Sequence, residues 1–290
     1  MITAANLRLG PANVYIHEKP RATLTTVLTG NNNDLTFTAD KPGAGGNAIT
    51  IAYVNPAAAN KPLAVTVVGT AISVQLATDG ASAIVSTADQ VKDAINNSFA
   101  ARSLVYAVRA AGNDGSGVVE AMAATQLAGG SDTATPVDVG AMGNELRIVI
   151  GTSVTPLTAA QTGDVAQDEV IVGGKVEFTI PFKEIVFDNF ARAIPNARVL
   201  AGANGLKRLD IVARVGESRR AFAVKMEIRP LIGGVETADP NEIYVIPLAT
   251  AVAGDVSIPF GPTTQQELPA TFRAWPDANG RWMFKGTETL

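Results

Sequence analysis

The sequence predicts a mainly β chain: a β-barrel or sandwich with one short external helix, interrupted by a small inserted α+β domain. Three observations carry this expectation. Apolar residues alternate with polar ones in many short runs, the period of a half-buried strand. The 290 residues include 27 Gly and 16 Pro spread along the chain, as many short elements joined by turns require. The composition also breaks twice, at the turn-rich clusters Asn31-Asn32-Asn33-Asp34 and Gly129-Gly130-Ser131-Asp132.

Between those breaks, residues 31–132 hold 5 Lys/Arg against 8 Asp/Glu, and of the aromatic residues only Phe37, Tyr53, Phe99 and Tyr106. Such an Ala/Thr/Val-rich block inside a more aromatic and more basic chain reads as a domain inserted into a loop of a host formed by residues 1–30 and 133–290. It opens with strand-like runs at Leu35–Thr38 and Ala48–Val54. Leu63–Val68 and Ala71–Leu76 flank Gly69-Thr70, which predicts a β-hairpin on a two-residue turn. The period then switches. Ser86-Thr87-Ala88-Asp89 has the form of a capping box, and Val91, Ala94 and Ile95, continued by Phe99, follow at helical spacing. A short strand around Leu104–Val108 completes the module.

In the host, Leu146, Ile148 and Ile150 alternate with Arg147 and Val149, and Val176, Phe178, Ile180 and Phe182 alternate with Glu177, Thr179 and Pro181. Gly173-Gly174-Lys175 reads as a turn before the latter strand. Asp188 is placed to cap a short helix, Asn189–Ile194, which Pro195 ends by disfavouring helix in the residue before it. Leu209, Ile211, Ala213 and Val215 share one parity, and Phe222, Val224, Met226 and Ile228 answer across Gly216–Arg219, a second predicted hairpin. No solenoid or propeller period is visible.

Composition removes much of chemistry. With no Cys there are no disulfides, thiolate metal sites or cysteine nucleophiles, and one His, His17, leaves no multi-histidine metal centre. His17, beside Glu18 and Lys19, reads as exposed. Gly43-Ala44-Gly45-Gly46-Asn47-Ala48 superficially fits a dinucleotide fingerprint, but a strand follows it where a helix N-terminus is needed. Asn113–Gly117 lacks the repeated carboxylates and distal Glu of a Ca²⁺ loop, and Asp168-Glu169 and Asp239–Glu242 come with no acid/base partner in sequence. The expectation is no catalytic residue, no cofactor and no metal. Pro62–Thr78 is charge-free but too polar and short to span a membrane, and Met1–Gly10 gives no targeting signal, so a soluble, unsecreted chain is expected.

The net charge of −4 argues against a general affinity for nucleic acid. Residues 190–230 do hold nine basic side chains, against Asp210, Glu217 and Glu227; these are expected to alternate outward on strands and to pair with acids of neighbouring subunits. Charged residues make up 17%, where a soluble protein has about a quarter. That shortfall suggests a surface largely covered by other subunits.

Three stretches, in order, resemble a bacteriophage tail tube protein. The first is Leu7-Arg8-Leu9-Gly10-Pro11-Ala12-Asn13-Val14-Tyr15. The second is Gln161-Thr162-Gly163-Asp164-Val165-Ala166-Gln167-Asp168-Glu169, running through Val170–Phe182 into Phe187-Asp188-Asn189-Phe190-Ala191-Arg192-Ala193-Ile194-Pro195. The third is Leu268-Pro269-Ala270-Thr271-Phe272-Arg273-Ala274-Trp275-Pro276-Asp277-Ala278-Asn279-Gly280-Arg281. Residues 31–132 separately resemble a small domain that recurs as an insert in phage structural proteins.

The resemblance implies a non-enzymatic, tail-tube-type β-barrel subunit with an external helix. Such subunits join edge to edge into rings, usually of six, which stack into the tube that conducts the genome. Implied partners are other copies of the chain, tape-measure, tail-terminator and baseplate or tail-tip proteins, and a sheath if the tail contracts. DNA passes without specific binding, no membrane is involved, and the protein belongs to the virion tail, assembled in the host cytoplasm. Gly151–Val172 is expected to be a long loop bridging to the next ring. Expected contacts between subunits or rings are Asp164, Gln167, Asp168, Glu169, Arg219, Arg220, Trp275 and Trp282. Ala166 stands where the family pattern has proline, which leaves that loop's turn geometry open, and the insert, absent from many members, suggests a decoration outside the tube. The alternative is a tail-tip or decoration protein whose 31–132 domain binds host-surface glycans.

Overall fold

A computed structural model describes residues 11–143, 145–158, 165–202, 205–212, 215–252 and 266–288. The chain forms two compact units. One comprises the segment up to His17, Pro136–Arg198 and the chain from Ile211; the other comprises Glu18–Thr135 with Val199–Asp210.

β1 (Ala12–Glu18) leads into β2 (Thr23–Thr25), β3 (Leu35–Ala39), β4 (Thr50–Val54), β5 (Ala64–Val68) and β6 (Ala71–Gln75). Then come α1 (Ala88–Asn97), α2 (Phe99–Arg102), β7 (Val105–Arg109) and β8 (Met122–Gln126). β9 (Thr135–Asp138) returns to lie beside β1, with the Val139 amide donating to Val14 O at 3.1 Å. The chain therefore leaves and re-enters the first unit between neighbouring strands, a connection in which a domain with adjacent termini is accommodated at little cost. The second unit begins before residue 31. β2 pairs β3, and Ala22 is fully buried with Leu35, Phe37 and Ala39.

That unit is held by a three-stranded sheet (β2-β3-β7), a four-stranded sheet (β5-β6-β4-β8) and α1 against β7. The hairpin on Gly69-Thr70 forms as the alternation requires, with Val68 opposite Ala71 and Gly69 at φ 60°. β6 also pairs β4 in parallel, which sequence periodicity does not encode. At α1, Thr87 Oγ1 accepts from the Gln90 amide while Gln90 Oε1 accepts from the Thr87 amide. The capping box is thus Thr87/Gln90, one residue beyond the Ser86/Asp89 reading, and Asp89 instead binds Arg109 and Lys92. Gly46 lies within a 3-10 turn, where a Cβ would come within 2.9 Å of Ala22 Cβ and Ala39 Cβ; its glycine serves packing, and strand β4 follows as expected.

The first unit continues through β10 (Arg147–Thr158), β11 (Ala166–Phe182) and α3 (Phe187–Ala193), and the chain then runs through β12 (Ala197–Ala201) and β13 (Lys207–Ile211), most of which belong to the second unit. The first unit ends with β14 (Val224–Ile232), β15 (Val235–Glu236), β16 (Tyr244–Ala251), β17 (Leu268–Ala274) and β18 (Phe284–Lys285). The main sheet runs β10-β11-β17-β16-β14-β1-β9, with β15 on β14 and β18 on β16. The mainly β class is as predicted, but no sheet closes into a barrel among the described residues. The path ends on β9, four residues long and carrying Pro136, which has no amide to donate to a further ladder.

The core lies on one face of this sheet. Val176, Phe178, Ile180 and Phe182 of β11 interleave with Leu268, Ala270, Phe272 and Ala274 of β17, all buried, while Glu177, Thr271 and Arg273 point away. Phe178 stacks on Phe272 with centroids 5.4 Å apart and planes 12° from parallel. α3 packs on β17 and its start differs from the sequence reading: Val186 precedes it without a side-chain cap, and Asp188 is in its first turn. Asn189 anchors it, donating to Val139 O and Glu184 O at 3.1 and 2.8 Å, and the helix ends before Pro195 as expected.

The predicted hairpin between Leu209–Val215 and Phe222–Ile228 does not form. β13 pairs β12, whereas β14 pairs β1 and β16, and a 3-10 turn over Arg219–Phe222 lies between. Alternation identifies a strand's buried face, as Met226 and Ile228 confirm, but is silent about its partner. Gly173 and Gly174 lie within β11, not in a turn before it.

Candidate assembly surface

β10 and β11 form one long hairpin, and its two ends have different surroundings. From Glu177 to Thr179, β11 is flanked by β10 on one side and β17 on the other, and from Ile180 to Phe182 it pairs with β17. From Ala166 to Lys175 it pairs, among the described residues, with β10 alone, so there the hairpin continues past the sheet as a two-stranded arm. Ten residues at about 3.3 Å each give a reach of roughly 33 Å. Gly151–Val172, expected as a loop, is therefore mostly strand, and residues 159–164 lie outside the described residues.

Pairing register fixes the faces of the arm. Ile148 lies opposite Phe178 and Ile150 opposite Val176 on the core side. By alternation Thr152, Val154 and Pro156 continue that side outward. The register shift between Ser153 and Val154 leaves Val172 as an extra residue, which brings Ile171 opposite Val154. A second shift leaves Gln167 extra, between Thr158↔Ala166 and Leu157↔Asp168. The apolar face of the core thus runs out past the residues that cover it. Ile150 is 65% exposed, Val154 44% and Ile171 71%. On the outer edge of β10, among the described residues, no strand follows.

Gly174 sets the root of the arm. Were it to carry a Cβ, that atom would lie 2.5 Å from Cη2 and Cζ3 of Trp282, so the missing side chain is the space the indole occupies. Trp282 in turn packs on the core. Trp275 is also held within the chain, half-buried, with Nε1 donating to Thr250 Oγ1 at 2.9 Å. The Pro-Asp-x-x-Gly stretch after β17 is a closed turn. Asp277 accepts from the amides of Asn279 and Arg281, both at 2.8 Å, and from Arg281 Nε, with Gly280 at φ 78°.

The other expected contact residues fall in two places. Asp164 lies outside the described residues. Gln167, Asp168 and Glu169 are on the arm, and the carboxylates of Asp168 and Glu169 are exposed, without a cation among the described residues. Arg219 and Arg220 lie in the turn before β14, where Arg220 Nη2 donates to Pro276 O at 2.7 Å. Arg219 has Nε and Nη2 out of water with no acceptor. Its burial, and after that the nearby positive charge of Arg273, push its pKa below the usual arginine value.

Several cations elsewhere on the sheet are matched. Arg273 binds Glu177 at 2.7 Å across the β11–β17 ladder, and those hydrogen bonds hold the Glu177 carboxyl below its ordinary value. Arg229 bridges Glu227 and Glu236 at 2.7 and 2.9 Å and stacks 4.7 Å over the Tyr15 ring. Lys225 meets Glu227 and Glu288. His17, read as exposed, is instead part of β1, 13% exposed, with Nε2 3.0 Å from Glu227 Oε1. Of the basic run over residues 190–230, Lys225, Arg229 and Arg208 therefore pair within their own chain, Arg208 with Asp210 at 2.7 Å.

No family model matches the chain, and no curated protein matches it either. The exposed apolar residues of the arm, Ile150, Val154, Ile171 and Val172, were not among those singled out from sequence. The alternation through Leu146–Ile150, extended to Val154, and the run Val170-Ile171-Val172 carried the signal.

Proposed function

We propose that this chain is a structural, non-enzymatic subunit that assembles with copies of itself, as the tail-tube resemblance implies: rings, usually of six, stacked into the virion tube through which DNA passes without specific binding. The observation that carries the reading is the arm. A two-stranded ribbon standing alone in water is marginally stable, and this one exposes Ile150, Val154 and Ile171 on the continuation of a core face. Such a segment gains most from a neighbour that covers it. The open edge of β10 supplies backbone donors and acceptors for the same neighbour, and edge-to-edge closure removes edges that would otherwise aggregate. Tape-measure, terminator, baseplate or tip proteins, and a sheath in a contractile tail, follow as partners from the resemblance.

Negative-stain microscopy of the purified full-length protein tests this. Rings or tubes are expected; a protein that stays monomeric at high concentration overturns the reading. Removing Glu18–Thr135, a unit that leaves between the neighbouring strands β1 and β9, separates tube building from the glycan-binding alternative. Tubes that persist while adsorption to host cells falls would give the insert an adhesive role, and tubes that fail would give it an architectural one.

A further inference from the structure

We propose that the acid pair on the arm, Asp168 and Glu169, docks against the Arg219–Arg220 corner of a second copy of this chain. The proposal rests on the assembly reading above and names the contact that reading leaves open.

Both halves of the contact are under-satisfied within one chain. Among the described residues, Arg229, Arg273 and Arg281 each have a carboxylate within 3 Å, whereas Arg219 has none and Arg220 has the Pro276 carbonyl alone. Arg219 is only partly buried as a residue and Arg220 is exposed, and a guanidinium–carboxylate bond is among the stronger contacts such a corner can make. Arg273 adds a third positive charge to this corner; it acts electrostatically on Arg219 while bound to Glu177. On the other side, Asp168 and Glu169 are exposed and have no cation partner among the described residues. Opposite them on β10 stand Leu157 and Pro156, neither of which can neutralise a carboxylate.

The two halves cannot meet inside one molecule. Arg273 is directly opposite Glu177, so the corner lies at the arm's root. Asp168 is nine residues farther along β11, about 30 Å away at strand rise. One antiparallel ladder, interrupted by the bulge at Val172, joins root to acid pair. The complementary groups therefore occupy separate patches of one subunit. Made once per pair of copies, such a contact is heterologous and propagates into a ring or a filament; made twice about a two-fold axis it would close a dimer, which negative stain distinguishes.

Charge reversal tests the pairing. In the full chain, D168R/E169R alters only the exposed arm, and R219E/R220E alters the corner; circular dichroism melts establish that each variant is folded. Each is expected to raise the protein concentration needed for assembly, followed by light scattering and negative stain, by on the order of tenfold or more. An equimolar mixture is expected to restore assembly, because the reversed arm of one variant meets the reversed corner of the other while native arm meets native corner. Wild-type assembly should also weaken with added salt. A wild type that stays monomeric sinks the assembly reading and this contact with it. A wild type that assembles while folded D168R/E169R assembles equally well sinks the contact alone, as does a mixture of folded variants that shows no rescue.

Discussion

The two halves of β11 share one backbone ladder with β10 and yet live in opposite environments. From Val176 to Phe182 the strand has β17 on its second side, and every other residue is buried; from Ala166 to Lys175 it has β10 alone, and Val170, Ile171 and Val172 face water. On the core side the arm still carries Ile171, with Ile150 and Val154 on β10, although Gly174 and Glu169 replace the large apolar residues of the buried half. What changes is whether a third strand and the opposing core arrive to cover them. Burial here is a property of neighbours, and the same alternation that makes a core in one half makes an unfinished surface in the other.

The largest effect expected from disturbing this contrast is at its buried end. Phe178 is 1% exposed and stacks on Phe272, so Phe178→Ala removes both a ring and its partner's contact. A loss of about 3–5 kcal/mol is expected for such a truncation, read as a shift in urea unfolding midpoint with little change in slope. A loss below about 1 kcal/mol would mean that this face is not packed as described.

At the boundary between the halves the expected effect is smaller. Gly174→Ala would drive a methyl into the Trp282 indole, and overpacking of this kind costs about 1–3 kcal/mol. The readout specific to this site is Trp fluorescence: the substitution should shift Trp282 towards a wetter emission, and a W282F background should abolish the shift. An unchanged spectrum with unchanged stability would show that the indole is not seated on Gly174.

How much of this was legible in the sequence follows the same division. Faces were legible wherever burial alternates, as in Val176–Phe182, in the Gly69-Thr70 hairpin and in the helix that ends at Pro195. Partners were not. The Leu209–Val215 run has the right parity to meet β14, yet Ile211 and Val215 are 69% and 88% exposed, and β14 pairs instead with β1 and β16 from distant parts of the chain. Long-range pairing depends on the whole sheet, and a local pattern does not contain it. The arm was read as a loop because its Gly, Thr and Ser residues carry turn signals. Two register shifts also break the strict alternation that marks a strand. The acidic pair and the two arginines were expected as contact residues from the resemblance. The missing acceptor at Arg219 could come only from three-dimensional structure.

The smallest effect on stability is expected at the free end of the strand, and there the smallness is the point. Ile171 is 71% exposed, so Ile171→Ser removes apolar surface that is already in water and should change the unfolding free energy by no more than about 0.5 kcal/mol. If the arm is a surface waiting for a neighbour, the same change should nonetheless weaken assembly. Covering a side chain of this size contributes about 1.5–3 kcal/mol in each subunit contact that buries it, and a ring or tube repeats the contact in every copy. Thermal melts and light scattering on one sample separate the two quantities. A variant that melts earlier and assembles normally would mean that Ile171 supports the monomer's own fold and that the two halves of β11 differ less than their exposures indicate. A variant that melts like the wild type and fails to assemble would place the cost where the exposed half of the strand predicts it, in the contact between copies.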